Sequence, residues 1–163
     1  MKQLWAPWRM TYIDQVSREA GCIFCEKFRE QDAREALVLA HTGHSVVMLN
    51  KYPYNNGHLL LAPRRHEKDL SNLSGEEYSD LNEALRSAVD IVRKSYNPSG
   101  INLGMNLGKC AGAGIEHHLH WHVVPRWEGD NNFMPVIGET RVMPQHLLES
   151  YDRLKPYFQH LYA

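Results

Sequence analysis

A run of histidines that alternate with apolar residues lies in the C-terminal third of the chain. The run reads His118-Leu119-His120-Trp121-His122-Val123-Val124. Because successive side chains on a β-strand point to opposite faces, it predicts a strand over residues 118–124 with the imidazoles on one face and a core face opposite. A single buried histidine is usually structural. Three in register indicate a functional site, because histidine serves mainly as an acid–base group or a metal ligand.

Length and charge limit the classes of function. The 163 residues suit one domain with a hydrophobic core, and we predict a single domain over 1–163 with an aromatic N-terminal arm (about 1–20) and a helical tail (about 144–163). The 18 Lys and Arg residues nearly balance 19 Asp and Glu residues, so nucleic acid and anionic membranes are not expected partners. No apolar run suits a membrane span or a signal peptide, so we expect a cytoplasmic location.

Apolar patterning predicts the order of strands and helices. Ser74 followed by Glu77 is a capping-box pattern, which predicts a long helix that ends near Asn97. Shorter helices are expected over 26–35 and 144–161. Strands are predicted over 37–39, 45–49, 57–62, 101–105 and 118–124, with a hairpin turn after the first. This order favours an α+β domain with a mostly antiparallel five-stranded sheet, one long helix and a C-terminal helix.

Two of the three cysteines, Cys22 and Cys25, form a Cys-x-x-Cys pair. Three cysteines cannot build a disulfide framework, and this spacing is typical of a structural zinc site in a reducing compartment. Such a site needs four ligands, and because the sequence has no second pair of this kind we take His66 and His118 as the other two. A redox pair and a pair of small buried side chains remain the alternatives.

A glycine-rich loop over residues 108–114 leads directly into the histidines. Its glycines allow backbone N–H groups to approach an anion, although the P-loop and dinucleotide fingerprints are absent from the sequence. A histidine nucleophile can divide one phosphoryl displacement into two easier steps, while neighbouring imidazoles stabilise charge or protonate the leaving group. The alternative is a catalytic zinc bound by the three histidines.

With these residues identified, the chain resembles the histidine triad (HIT) family of nucleotide hydrolases and transferases. The family pattern is His-φ-His-φ-His-φ-φ, with φ apolar, and residues 118–124 match it in full. Residues 50–53 and 57–58 are similar to the family's nucleotide-binding strand and loop. Residues 4–10 and 126–133 resemble the microbial branch that contains diadenosine tetraphosphate phosphorylases.

The resemblance implies a nucleotidyl-transferring hydrolase or phosphorylase that acts on a nucleoside phosphate anhydride. His120 would attack the α-phosphorus and carry the nucleotidyl group, and His122 would bind the phosphate oxygens. Asn106 and the backbone of Gly114 would lie beside the phosphates, and Asn50 would reach the ribose. The apolar strand over residues 46–49 would line the base pocket.

The resemblance also implies a metal, a substrate class and an assembly. In zinc-bearing members a structural zinc is held by residues that correspond to Cys22, Cys25, His66 and His118, and His58 belongs to the substrate-binding loop. The expected substrate is an adenine nucleotide or a dinucleoside polyphosphate. The expected assembly is a homodimer, which the aromatic arm could extend to a tetramer.

The segment before the triad departs from the family pattern. Many members place Ser, Thr or Gln there, whereas Ala113 and Gly114 offer only backbone N–H groups. This departure keeps a second hypothesis open, a zinc-stabilised module that binds a nucleotide or a partner with little catalysis. His117 adds a fourth histidine, and we expect it to face solvent.

Overall fold

The computed structural model describes residues 21–130 and 143–159, so the predicted N-terminal arm and the end of the tail lie outside the described residues. The helices are α1 (Ile23–Lys27), α2 (Gly75–Tyr96) and α3 (Leu147–Gln159). The strands are β1 (Val38–His41), β2 (Ser45–Leu49), β3 (Leu59–Pro63), β4 (Gly100–Met105) and β5 (Trp121–Arg126). Single 3₁₀ turns precede α2 (Leu70–Asn72) and β5 (Lys109–Ala111). Among these helices, none combines the length and the apolar character that crossing a membrane requires.

The five strands form one sheet in the order β1-β2-β3-β5-β4, and every neighbouring pair is antiparallel. The predicted α+β class and antiparallel sheet are therefore confirmed. The strand that carries the last histidine, β5, lies between β3 and β4. Its His122 is opposite Leu60 of β3 and Gly104 of β4, so the site forms near the middle of the sheet.

One face of the sheet is covered by α2 and α3. The predicted capping box is present at the start of α2: Ser74 Oγ accepts from the Glu77 N–H, and the Glu77 carboxylate accepts from the Ser74 N–H. The helix ends at Asn97, which adopts φ 45°. Buried residues recur every three or four positions along α2, which places one apolar face on the sheet: Leu81, Ala84, Leu85, Ala88, Ile91 and Val92.

The opposite face is covered in part by α1. Phe24 is 2% exposed and packs with a smaller apolar cluster on that face: Ala36, Val38, Val46, Met48, Leu60 and Ala62. The predicted helix over residues 26–35 is wrong, because the helix begins at Ile23 and ends at Lys27. Asp32 Oδ1 accepts from the N–H groups of Arg34 and Glu35, and this local bonding favours a turn over a continuing helix.

The strand predicted over residues 118–124 begins only at Trp121, so the first two triad histidines precede it. Pairing along β3 and β4 reaches as far as Trp121. Before that point the Leu119 N–H donates to the Glu67 carbonyl instead. The predicted division of faces is nevertheless found, since Leu119 and Val123 are buried and the triad histidines lie on the Phe24 side. The C-terminal helix also begins later than predicted, at Leu147.

Candidate active site and metal centre

Four side chains that the sequence analysis grouped as metal ligands meet in space. The donor atoms of Cys22, Cys25, His66 and His118 all lie within 4.8 Å of one another. Cys22 Sγ is 3.2 Å from His118 Nδ1, and Cys25 Sγ is 3.3 Å from His66 Nδ1 and 3.7 Å from His118 Nδ1. Zinc bonds of about 2.0–2.3 Å in a tetrahedron place neighbouring donors about 3.5 Å apart. The spacing of this donor set therefore fits a tetrahedral zinc.

The orientation of His118 suits a ligand. Its Nε2–H donates to the Pro63 carbonyl over 2.8 Å, which leaves Nδ1 as the nitrogen that faces the cysteines. Burial lowers the pKa of His118 to about 4, so the ring is neutral near pH 7, the state in which an imidazole binds metal. The segment after β3 contributes His66, whose ring meets that of His118 edge-on at 5.2 Å.

The middle histidine is held as a neutral base. His120 is 5% exposed, and its Nδ1–H donates to the His118 carbonyl over 2.8 Å. The lone pair of the ring is therefore on Nε2. Phe24 packs against this ring with centroids 4.9 Å apart, and burial lowers the pKa of His120. A neutral imidazole with a fixed tautomer and a basic Nε2 can act as a nucleophile.

The third histidine is paired with a buried histidine from the start of β3. The Tyr54 N–H donates to His58 Nδ1 over 3.0 Å, so the proton of a neutral His58 is on Nε2, which lies 2.9 Å from His122 Nδ1. This direction of donation leaves the proton of His122 on its own Nε2. His58 is fully buried and its side chain contacts His122, and its predicted place in the substrate-binding set stays a prediction.

The residues that the sequence predicts as phosphate and ribose contacts lie in the loops near these histidines. Asn50 follows β2, and its side chain bonds the Tyr52 N–H at 2.9 Å and lies 3.4 Å from His58 Nδ1. Asn106 directly follows β4, one residue beyond the pair that Met105 forms with Trp121. Its Nδ2 donates to the Gly112 carbonyl over 3.5 Å, so it contacts the glycine-rich loop in which Gly114 is half-buried.

A cavity of about 460 Å³ is lined by residues of α1, β2 and α3. Met48 of β2 lines it, and the base pocket expected over residues 46–49 stays a prediction. Lys51, next to Asn50, brings a positive charge to the same cavity. The rest of the lining mixes apolar and charged residues from α1, the segment before β1 and the start of α3: Ile23, Lys27, Asp32, Arg34, Glu35, Ala36, Leu37, Leu147 and Leu148.

Two aromatic contacts of the site escaped the sequence analysis. Phe24 contacts both His118 and His120, and the Tyr54 ring lies nearly parallel to that of His122, with centroids 5.9 Å apart and 18° between planes. The signal for Phe24 was its position between the two cysteines. His117 has a side chain that is 75% exposed, so the solvent-facing prediction is confirmed.

The arrangement does not favour one metal shared by the three triad histidines. Their Nδ1 atoms face three different partners: the cysteine sulfurs for His118, a backbone carbonyl for His120 and an imidazole for His122. A catalytic zinc would need one nitrogen from each ring at a common point. The geometry instead separates the donor cluster that contains His118 from the pair His120 and His122.

Comparison with known proteins identifies relatives with the same elements. Residues 31–129 match the HIT domain family. AP-4-A phosphorylase from Mycobacterium tuberculosis is 37% identical over 157 residues, which are 92% of this chain and 80% of that protein. A bis(5'-adenosyl)-triphosphatase from Dictyostelium discoideum is 31% identical over 97 residues, 60% of this chain and 64% of that protein.

Solved structures share the fold. A zinc-bound histidine triad family protein from Mycobacterium smegmatis superposes with a TM-score of 0.61 at 25% identity, over 94% of this chain and 96% of that one. A diadenosine triphosphate hydrolase from Plasmodium falciparum superposes with a TM-score of 0.65 at 21% identity, over 93% and 99%. The family match spans more than half of the sequence and includes the triad, so the chain belongs to the HIT family.

Proposed function

We propose that this protein cleaves dinucleoside polyphosphates by transferring a nucleotidyl group to His120. The observation that carries the proposal is the hydrogen bond from His120 Nδ1–H to the His118 carbonyl, which fixes Nε2 as the nucleophilic nitrogen of a buried neutral ring. The relatives named AP-4-A phosphorylase and bis(5'-adenosyl)-triphosphatase support the substrate class.

The reaction divides into two displacements at one phosphorus. In the first, the His120 Nε2 lone pair forms an N–P bond with the α-phosphorus while the bond to the bridging oxygen breaks and the remaining nucleotide leaves. In the second, an oxygen of water or inorganic phosphate attacks the same phosphorus and the N–P bond breaks. His122 would donate its Nε2 proton to a phosphate oxygen and so stabilise the developing charge.

The cavity beside β2 supplies the nucleoside subsite in this proposal. Met48 and Ile23 offer apolar surface for a base, and Asn50, whose chain neighbour Lys51 lines the cavity, would reach the ribose. The adjacent Lys51 suits a polyphosphate chain, because its ammonium attracts phosphate oxygens. Ala113 and Gly114 would contribute backbone N–H groups in place of a polar side chain.

We also propose that Cys22, Cys25, His66 and His118 bind a structural zinc. Support comes from the donor spacing and from the zinc-bound relative of known structure. The ion would supply a cross-link between α1, the segment after β3 and the triad. Elemental analysis should find about one zinc per chain. Cys25→Ser should lose that zinc and lower the melting temperature, and full stability without metal would contradict the assignment.

A homodimer is the assembly we propose, with a second copy at the β4 edge of the sheet. Edge strands expose unpaired backbone groups, and Leu103 is 48% exposed on this strand. Leu107 just beyond it is 50% exposed. Light scattering should give twice the mass of one chain, and Leu103→Glu should lower the measured mass toward that of a single chain.

The proposed thiolate ligands need a reducing compartment, which is consistent with the cytoplasm.

The decisive experiment is product analysis with diadenosine tetraphosphate, with and without inorganic phosphate. Phosphate as acceptor gives ADP and ATP, and water as acceptor gives AMP and ATP. His120→Asn should abolish turnover, whereas the matched control His117→Asn, at an exposed position, should keep it. Full turnover by the His120 variant would refute the proposal. Tight binding of nucleotide with no product from the wild type would favour the alternative of a binding module.

A further inference from the structure

The loop between β2 and β3 holds the His58–His122 pair, and one asparagine anchors this loop. The Asn55 carbonyl accepts the His58 N–H over 3.2 Å. Its side-chain Nδ2 donates to the Pro125 carbonyl over 3.2 Å and to Asp130 Oδ2 over 2.9 Å. Asn55 therefore connects the backbone around His58 to the end of β5, about 70 residues along the chain.

Asp130, which accepts one of these bonds, is itself held by several hydrogen bonds. Arg126 donates two hydrogen bonds to the Asp130 carboxylate, from Nε over 2.6 Å and from Nη2 over 2.8 Å, and the Trp127 N–H adds a third over 3.2 Å. The Asp130 side chain is 12% exposed, so these bonds are partly shielded from water. Arg126 is also bonded from Nη1 to Asn102 on β4, which ties the acceptor to the sheet.

A second contact of the loop between β2 and β3 also leads to the segment after β5. Gly57 has φ 72°, and a Cβ at this position would lie 2.7 Å from the Tyr96 ring. That ring in turn meets Trp127 edge-on, with centroids 6.2 Å apart. The loop thus has a polar anchor at Asn55 and a steric stop at Gly57, and both end on residues 126–130.

We infer that Asn55 and Asp130 are positioning residues of the reaction, which hold the loop so that the Tyr54 N–H meets His58 Nδ1 and the His58 proton faces His122. Neither residue is in the triad or among the residues that would contact substrate. The inference rests on the proposed function, because the role of His122 in phosphate binding gives the positioning its consequence. The order of the hydrogen bonds is Asp130 to Asn55, then through the loop backbone to His58, then to His122.

The expected effect follows from the geometry. Without the Asn55 side chain the loop loses its bonds to β5, and a displacement of about 1 Å at a reacting group can lower a rate by as much as about 100-fold. We expect Asn55→Ala to lower kcat by about 10- to 100-fold. KM should change by less than about threefold, because α1, β2 and α3 form the nucleoside cavity separately from this anchor.

The test compares three variants: Asn55→Ala, Asp130→Asn and the control Asn102→Ala. The control removes a bond to the same arginine but leaves the bond between Asn55 and Asp130 in place. Each is measured for kcat and KM with diadenosine tetraphosphate, for melting temperature, and by ¹⁵N NMR of histidine-labelled protein, which reports the tautomers of His58 and His122. The first two variants should lower kcat and alter the His58 nitrogen shifts, and the control should do neither.

Three results would overturn the inference. They are wild-type kcat in Asn55→Ala, unchanged His58 nitrogen shifts in that variant, and an equal loss of kcat in Asn102→Ala. If Asn55→Ala does not fold, Asp130→Asn, which keeps the shape of the side chain, decides in its place by the same criteria. Absence of turnover in the wild type would refute the proposed function alone, because the NMR comparison tests the positioning without any substrate.

Discussion

Replacing Phe24 with alanine should damage the stability and the chemistry of the site together. The ring is 2% exposed and fills the space between α1 and the sheet. It also contacts both His118 and His120, with centroids 5.1 and 4.9 Å apart. One substitution would therefore open a cavity beside both the proposed zinc ligand His118 and the proposed nucleophile His120.

The stability effect follows from the size of the buried group. Truncating a buried Phe to Ala costs about 3–5 kcal/mol. For a chain of this length each kcal/mol lowers the melting temperature by about 2–4 °C, so the expected fall is about 6–20 °C. The kinetic effect is separate, because without the Phe24 ring the His120 side chain can rotate and water can enter the space beside it. We expect kcat to fall by about tenfold or more at a temperature at which the variant is folded.

The matched control is Phe158→Ala. Phe158 is 1% exposed and lies in the other core, between the sheet and the helices, so the same group is deleted far from the triad face. Both variants should show similar melting temperatures by calorimetry, but only Phe24→Ala should have a lower kcat in the folded protein. Equal kcat values for the two would show that Phe24 stabilises the fold without supporting the nucleophile, and would refute the reasoning.

Three further predictions concern the frame around the site. Ser74→Ala removes the capping acceptor of α2 and should cost about 1 kcal/mol, seen as a small fall in melting temperature with unchanged kcat. Arg65 bonds the Glu77 carboxylate and holds the pKa of Glu77 at about 2, below the ordinary 4.5. The stability that this bond contributes is therefore complete above about pH 4.5 and is lost as the pH falls toward 2. Glu77→Gln should flatten this part of a stability–pH curve. Gly57→Ala should destabilise the fold by at least about 1–2 kcal/mol, because φ is positive and Tyr96 blocks a Cβ; wild-type stability would contradict this.

The sequence predicted those parts of the fold that depend on local pattern. The capping box at Ser74 and the apolar spacing after it fix the start and the face of α2, and both are found as expected. The alternation through the triad likewise assigns its faces correctly. These predictions succeed because the period of side chains is set by the backbone conformation alone.

The parts that failed depend on partners that are distant in sequence. The triad strand starts at Trp121 and not at His118 because its pairing with β3 and β4 stops there, and the Leu119 N–H donates to the distant Glu67 carbonyl instead. The helix near the cysteines is displaced because the burial of Phe24 against β2 and β3 outweighs local charge pattern. The anchor between Asn55 and Asp130 joins residues 75 positions apart, and nothing in their separate surroundings indicates that they meet.

His118 gives the proposed metal centre and the proposed reaction centre a shared residue. Its side chain faces the two cysteines through Nδ1, while its backbone carbonyl accepts the proton of His120 Nδ1. A ligand set that fixes the His118 side chain also restrains the peptide group attached to it, because few rotatable bonds separate the two. Loss of the proposed zinc should then weaken the hydrogen bond from His120 Nδ1–H to the His118 carbonyl, which selects the tautomer of His120, before the sheet unfolds. The alternating histidines therefore differ in what they contact. His118 faces the cysteines, His120 is bonded to the His118 carbonyl, and the first histidine thereby orients the second.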